Sequence, residues 1–220
     1  MRLIAFICFG VICVLMTVIY TLFNQKTGWA GLLVRGMSIF SLIVFLLVLN
    51  SLKSLTNALA LYLSISIVLL LINEVVDLTT DDEYVADIFG GVLKTCAGVC
   101  MALSVVSISE FNLFALIGGI LLGLAFGFTS WAFGKYEGAW NISFKLLQFA
   151  AFGAVVGAGL CGIMFSLHST TALILMIGSA LFVITNTVKY IFNENNVVQI
   201  VTSVFYMLSL LTIVSSVYFY

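Results

Sequence analysis

Long apolar runs separated by short polar breaks fill this chain. A helix needs roughly 20 residues to cross about 30 Å of hydrocarbon, and eight runs reach that length. They lie near residues 3–23, 30–50, 55–76, 86–108, 112–133, 143–166, 170–191 and 197–219. The runs are continuously apolar, whereas the strands of a membrane barrel alternate apolar and polar positions. The pattern therefore predicts an all-α polytopic membrane bundle of eight transmembrane helices, built as a single domain over residues 1–220.

The composition strengthens this prediction. Hydrophobic residues make up 63% of the 220 positions, and the mean hydropathy is +1.28, well above the values of soluble domains. The first run lacks a small-x-small cleavage site before Asn24, so we expect a retained span rather than a signal peptide. The chain contains no proline, which disfavours the broken helices found in many transporters.

Several kinds of chemistry have no support in the sequence. A net charge of −1 gives no electrostatic footprint for nucleic acid. The chain has no Gly-x-Ser-x-Gly motif, no His-Glu-x-x-His motif and no phosphate-cradling loop. Cys96 and Cys100 share a helix face, but the sequence offers no convincing third and fourth metal ligand. We therefore predict no cofactor, no metal site and no nucleic-acid partner.

Basic residues are distributed unequally between the two sides of the predicted bundle. The side that holds the connections after spans 1, 3, 5 and 7 carries Lys26, Arg35, Lys94, Lys135, Lys145 and Lys189. The opposite side carries Arg2 and Lys53. The positive-inside rule then places both termini outside the cytoplasm, in a bacterial inner membrane or a eukaryotic endomembrane.

Two local patterns predict how the helices are related. The ends of spans 3 and 7, residues 71–77 and 183–189, are faintly alike and point the same way, as a parallel 4+4 internal repeat would explain. Glycines form one stripe in span 5 and another in span 6: Gly119, Gly123 and Gly127, then Gly153 and Gly157. Such stripes predict close approach of helix backbones.

Polar and charged residues gather near one end of the predicted helices. Glu74 and Asp77 share a face at the end of span 3, and Asn186 and Lys189 share one at the end of span 7. At 1.5 Å per residue, further groups lie roughly 5 to 12 Å from the same interface: Arg35, Lys94, and Lys145 with Gln148. Charges at this depth usually face a partner or a water-filled cavity. We therefore predict one polar pocket, in which Glu74 or Asp77 faces a basic residue.

Simpler interpretations stay open for these and other polar residues. Lys145 and Lys189, taken singly, are better explained as anchors that reach the lipid head groups. The whole cluster could be an ion-pair network that only ties helices together. The acidic run 81–83 is most simply a solvated loop, and His168 lies in a short polar turn on the opposite side.

The motifs of the polar cluster resemble those of the YhhN-like lysoplasmalogenases, eight-helix membrane proteins. Residues 178–186 resemble the family's Gly-Ala-x-x-Phe-x-x-Ser-Asp, and Tyr206 falls at a family tyrosine in the next span. Arg35 falls at the family's Lys-Pro in span 2, and Asn73-Glu74 at its Gly-Asp in span 3. Glu74 and Asn186 thus stand where the family has aspartates, and Lys94-Thr95-Cys96 lies where a family histidine is expected. Span number and spacing agree along the whole chain.

The resemblance implies hydrolysis of the vinyl ether bond of a lysoplasmalogen, a lysophospholipid in the membrane. This reaction needs a proton delivered to carbon, after which water captures the oxocarbenium ion and an aldehyde is released. The resemblance assigns the acid to Glu74 and the orientation of water or substrate to Asn186, with Asp77 as a second carboxylate. It assigns substrate binding to Arg35, Lys94, Lys189 and Tyr206.

Two other functions are compatible with the sequence. A lipid-binding or sensing protein could keep the pocket without the chemistry, since an asparagine at position 186 cannot act as a base. A small-solute transporter is suggested only by the buried charges and the repeat. The lack of proline and of a second polar cluster on the opposite side places the transporter last.

Overall fold

The computed structural model describes most of the chain, and its described residues form helices without any strand. These residues are 4, 7–8, 11–12, 14–16, 18–19, 29–53, 58–80, 82–109, 112–134, 139–165, 169–192 and 196–219. Every described position between 4 and 19 is helical, and this segment is called α1. The other helices are α2 (Trp29–Lys53), α3 (Ala58–Thr79), α4 (Glu83–Val106), α5 (Leu113–Phe133), α6 (Ala139–Phe165), α7 (Ser169–Ile191) and α8 (Asn196–Ser215), followed by a short 3-10 helix, Ser216–Phe219.

The helices follow the apolar runs of the sequence, with boundaries that move by a few residues. Six of them, α3 to α8, are long and apolar enough to cross a membrane, which indicates an integral membrane protein. In α2 the apolar part, Gly36–Leu49, is shorter. The eight-span count, the 4+4 repeat and the orientation of the termini stay predictions. Several residues used for these predictions lie outside the described part of the chain: Arg2, Lys26, Asp81, Lys135 and His168.

Side-chain caps fix the starts of two helices. Asp82 accepts hydrogen bonds from the backbone N–H groups of Tyr84 and Val85 at 3.0 and 3.3 Å, so it caps α4. Asn112 caps α5 in the same way, through Phe114 and Ala115. Capping satisfies backbone donors that have no partner within the helix. The interpretation of 81–83 as only a solvated loop therefore does not hold for Asp82, which caps α4, or for Glu83, which begins it three residues earlier than predicted, and Asp81 lies outside the described residues.

Helix α6 lies at the centre of the bundle and packs against α4, α5 and α7. Helix α3 packs on the far side of α4, α8 packs on α7, and α2 contacts both α3 and α8. The Ser38 hydroxyl donates to the Met16 carbonyl at 3.0 Å, which joins α2 to α1. Across the middle of the core, the rings of Phe152 and Phe182 stack with centroids 3.9 Å apart. The arrangement brings α3, α4, α6, α7 and α8 around one interior.

The two glycine stripes face each other at the contact between α5 and α6. A Cβ atom at Gly119 would collide with the Gly153 carbonyl and lie 2.6 Å from the Gly157 nitrogen. A Cβ atom at Gly123 would lie 2.8 Å from the Phe149 carbonyl carbon. The predicted close approach of backbones is thus confirmed, and it depends on the absence of side chains at these positions.

We expect Gly119→Ala to destabilise the protein by about 1 to 3 kcal/mol, since backbone atoms cannot move aside as a flexible side chain can. Gly118→Ala is the matched control, because Gly118 has no atom within 4 Å of its would-be Cβ. Thermal unfolding in detergent micelles measures the difference. Equal melting temperatures for the two variants would contradict the role given to the glycine contact.

Candidate functional site

A narrow, partly open pocket lies where α3 and α7 end and the first turns of α8 begin. Its volume, including the open solvent at its mouth, is about 370 Å³. Four helices supply its wall, with the residues Glu74, Asp77, Lys94, Thr185, Asn186, Lys189, Thr202, Ser203 and Tyr206. Nearly all of these side chains are polar, in a chain that is 63% hydrophobic. The end of the bundle thus concentrates hydrogen-bonding groups at one place.

Helix α3 supplies two carboxylates from successive turns. Glu74 is buried, with 6% of its surface exposed, and Asp77 is exposed. A spacing of three residues keeps both on one face of the helix. The two acids therefore differ in environment, because Glu74 lies inside the pocket and Asp77 lies near its opening.

Lys94 brings a positive charge far along an apolar helix, where its side chain is half-buried. It lies ten residues, about 15 Å, into the apolar segment Tyr84–Val106 of α4. Glu74 and Asp77 line the same pocket as Lys94. The expectation that Glu74 or Asp77 faces a basic residue agrees with this shared lining, and a direct contact between them stays a prediction.

Helices α7 and α8 supply an amide and a phenol. The Asn186 side chain is buried, and its Nδ2 donates to the Phe182 carbonyl one turn earlier at 2.8 Å. A carbonyl oxygen can only accept, so the Asn186 Nδ2 must face it and Oδ1 is left for other partners. The Tyr206 ring packs against Phe182 with centroids 5.5 Å apart. Both side chains are thereby held at the pocket wall.

The structure brings together most residues that the sequence analysis selected for a site. Around the one pocket lie Glu74, Asp77, Lys94, Asn186, Lys189 and Tyr206. Arg35 is part of α2, and its side chain lies outside the described part of the structure. Cys96 is exposed and Cys100 partly exposed, and the described residues contain no group of His, Cys, Asp and Glu side chains suited to a metal ion.

An ion pair between a buried lysine and a partly exposed aspartate was missed by the sequence analysis. The Lys145 Nζ lies 3.1 Å from Asp87 Oδ1, and the Asn141 Nδ2 donates to Asp87 Oδ2 at 2.8 Å. The same ammonium lies 4.0 Å from the centre of the Tyr190 ring. The Lys145 side chain is only 8% exposed, so its interpretation as an anchor at the lipid head groups is wrong. Asp87 lies seven residues before Lys94 and therefore on nearly the same face of α4. That spacing could have identified Asp87 as part of the polar cluster from the sequence.

No family model matches the chain, and no curated protein and no solved structure is significantly similar to it. The resemblance to the YhhN-like lysoplasmalogenases therefore depends on the motif residues themselves. Six of the residues selected with its help line one pocket. That clustering is compatible with the resemblance and also with any other function that needs a polar pocket.

The ion pair predicts unequal effects of removing its two partners. We expect Asp87→Ala to cost about 3 kcal/mol, because it leaves the buried Lys145 ammonium without its carboxylate. We expect Lys145→Met to cost about 1 kcal/mol or less, because the Asp87 side chain is 44% exposed and retains solvent. Thermal unfolding in detergent measures both. A larger loss for Lys145→Met than for Asp87→Ala would contradict this account.

Proposed function

We propose that this protein hydrolyses the vinyl ether bond of lysoplasmalogens, releasing a fatty aldehyde and a glycerophospho head group. The observation that carries the proposal is the buried carboxyl group of Glu74 in a pocket that also holds a lysine and an asparagine. A vinyl ether is cleaved by protonation at carbon, which requires an acid held against the substrate. Lysolipids are membrane-soluble, which suits a pocket at the end of a membrane bundle.

The proposed reaction balances with Glu74 as the only proton carrier. The Glu74 carboxyl gives its proton to the outer vinyl carbon, and the neighbouring carbon becomes part of an oxocarbenium ion. Water adds to that carbon and returns a proton to the Glu74 carboxylate. The resulting hemiacetal collapses by breaking its bond to the glycerol oxygen, which takes the hydroxyl proton. The products are an aldehyde and a free glycerol hydroxyl, and Glu74 is protonated again.

Asn186 suits the orientation of the attacking water. Its Nδ2 is held by the Phe182 carbonyl, so Oδ1 has a fixed position at the pocket wall. An amide oxygen accepts a hydrogen bond from water and leaves the water lone pair free for the carbon. Asn186 therefore positions water in this scheme without taking a proton.

The lysines of the pocket suit the phosphate of the substrate. Lys94 is half-buried and Lys189 is exposed near the opening, so an extended head group can contact both. Charge-assisted hydrogen bonds from ammonium to phosphate are about twice as strong as neutral ones. Asp77, exposed on the same side, is placed to act on the outer part of the head group, and Tyr206 offers apolar surface for the rest.

A lipid-binding or sensing protein is the second candidate, and one observation favours it. Asn186 stands where the family has an aspartate, and its amide is already engaged by the Phe182 carbonyl. An ionised carboxylate could not make that bond. The pocket therefore lacks a base on α7, which a protein that only binds the lipid would not need.

We expect Glu74→Gln to abolish aldehyde release from lysoplasmalogen, because the amide keeps the shape of the side chain but supplies no acidic proton. Purified protein in detergent is incubated with the lipid, and the aldehyde is measured by a coupled dehydrogenase. Asp77→Asn is the comparison, since it removes a carboxylate one turn away that is exposed. If aldehyde release survives Glu74→Gln and is lost in Asp77→Asn, then Asp77 and not Glu74 is the acid.

Lipid retention separates the two candidate functions. We expect Glu74→Gln to keep co-purifying lysophospholipid, detected by mass spectrometry, because the lysines that bind phosphate are intact. Bound lysolipid without any aldehyde release by the wild type would favour the sensing protein. Release by the wild type removes that candidate.

We expect Lys94→Met to weaken the binding of lysophosphatidylethanolamine by about tenfold or more, since a charge-assisted hydrogen bond contributes about 1.5 to 3 kcal/mol. Lys189→Met is the matched control, and its smaller effect follows from the exposure of Lys189. Titration calorimetry in detergent gives both affinities. A stronger effect of Lys189→Met would place the phosphate at the opening instead of in the interior.

A further inference from the structure

Two buried amide side chains at the depth of the pocket have no hydrogen-bonding partner on the protein among the described residues. Asn73 is 0% exposed and Gln148 is 1% exposed. In each, both the amide nitrogen and the amide oxygen are left without a partner in that part of the chain. Buried polar groups are nearly always paired, because an unpaired one is costly. These two side chains are therefore suited to a polar molecule that enters the bundle.

Asn73 lies directly below the acidic wall of the pocket. It precedes Glu74 and lies one turn, about 6 Å, deeper than Asp77 along α3. Its Oδ1 is 2.7 Å from the point where a Cβ atom of Gly90 would stand, and the Asp77 Oδ1 is 3.8 Å from that point. Gly90 thus leaves room for both side chains, one turn before Lys94 on α4. The Asn73 amide extends the polar surface inward between α3 and α4.

Gln148 lies at the same depth on the other side of α4. It is one turn from Lys145, which contacts Tyr190, and one turn from Phe152, which stacks on Phe182. Asn186 lies midway between Phe182 and Tyr190 on α7, so Gln148 is level with it. Gly91 of α4 faces Phe144 of α6, and Gly98 of α4 faces Ala151 of α6. Lys94 lies between the two glycines and Gln148 lies between Phe144 and Ala151, so Gln148 is level with Lys94 as well. The second amide thus belongs to the same layer of the bundle as the pocket wall.

The chemistry of an amide restricts what can bind there. Each amide presents a donor and an acceptor, so a single group that satisfies both atoms must both accept and donate. A phosphate or carboxylate can only accept, and an ammonium group can only donate. A hydroxyl group does both. We propose that Asn73 and Gln148 form a polar layer of the bundle at the depth of the pocket, and that this layer binds hydroxyl groups, supplied either by water or by the glycerol of a bound lysolipid.

The two sources have different consequences. Buried water bridges polar groups that lack protein partners, and it needs no lipid. Assigning the hydroxyl group to a lipid rests on the proposed function. In that case the layer would determine specificity for lysolipids, whose glycerol has a free hydroxyl. A site built to bind a hydroxyl group discriminates strongly against an analogue without one, because its own polar groups are then left unpaired.

Variants with apolar side chains of similar size test the layer. Asn73→Leu and Gln148→Met are each compared with the wild type for melting temperature in detergent. Their affinities are measured by calorimetry for lysophosphatidylethanolamine and for its analogue with hydrogen in place of the free glycerol hydroxyl. Thr171→Val is the control, since the buried Thr171 hydroxyl also has no partner in the described part of the chain and lies at the opposite end of α7. We expect this control to raise the melting temperature slightly and to leave both affinities unchanged.

If the layer binds a lipid hydroxyl, the wild type binds the lysolipid at least about tenfold more tightly than the analogue. Either variant then brings this ratio of affinities towards one. If the layer binds water instead, the ratio of affinities is near one in the wild type, and both variants have a lower melting temperature. The proposal is overturned if both variants behave like Thr171→Val, with no loss of melting temperature and no change in the ratio. Because binding and unfolding are measured, failure of the proposed hydrolysis would leave the test valid.

Discussion

A lysine halfway along an apolar helix is the constraint on which this end of the molecule depends. A charge at that depth costs about 2.5 to 3.5 kcal/mol unless it is compensated. Lys94 shares one pocket with Glu74 and Asp77 of α3, and Asp87 lies two turns earlier on its own helix. This arrangement has α3 turn its polar face towards α4, and Gly90 permits it by leaving space for Asn73 and Asp77. The pocket lies where these polar faces meet.

The opposite side of the bundle is organised by shape and not by charge. Glycines of α5 and α6 bring the two backbones into direct contact, so α6 has a fixed position. From that position α6 presents Lys145 to Asp87 of α4 and to the Tyr190 ring of α7. Tight backbone packing on one side of α6 thus determines the polar contacts on the other, which lie beside the pocket.

Much of the fold and part of the site could be predicted from the sequence. Apolar runs predict helices because the length of a span is set by the bilayer, and the glycine stripes predict a close contact because only small residues allow one. Counting residues from the predicted membrane interface placed Glu74, Lys94 and Asn186 at a similar depth, and the three line one pocket. It could not place Lys145 against Asp87, because depth gives neither the rotation of a helix about its axis nor its neighbours. The sequence analysis did not single out Asn73, since neither its burial beside Gly90 nor its lack of a hydrogen-bonding partner among the described residues can be read from the sequence.

The nature of the residue at position 186 bears on how hydrolysis could proceed here. With an asparagine on α7, the proton lost by the attacking water has to reach a carboxylate elsewhere, and Glu74 has just become one by protonating the substrate. Glu74 would therefore act on both vinyl carbons in turn, which requires the proton and the water to approach the same face of the double bond. Asn186 Oδ1, fixed by the bond from Nδ2 to Phe182, lies in the same pocket as Glu74 and so suits this geometry. An enzyme with carboxylates on two helices is under no such restriction. An asparagine at position 186 is thus compatible with hydrolysis, but only along a path that keeps water on the Glu74 side of the substrate.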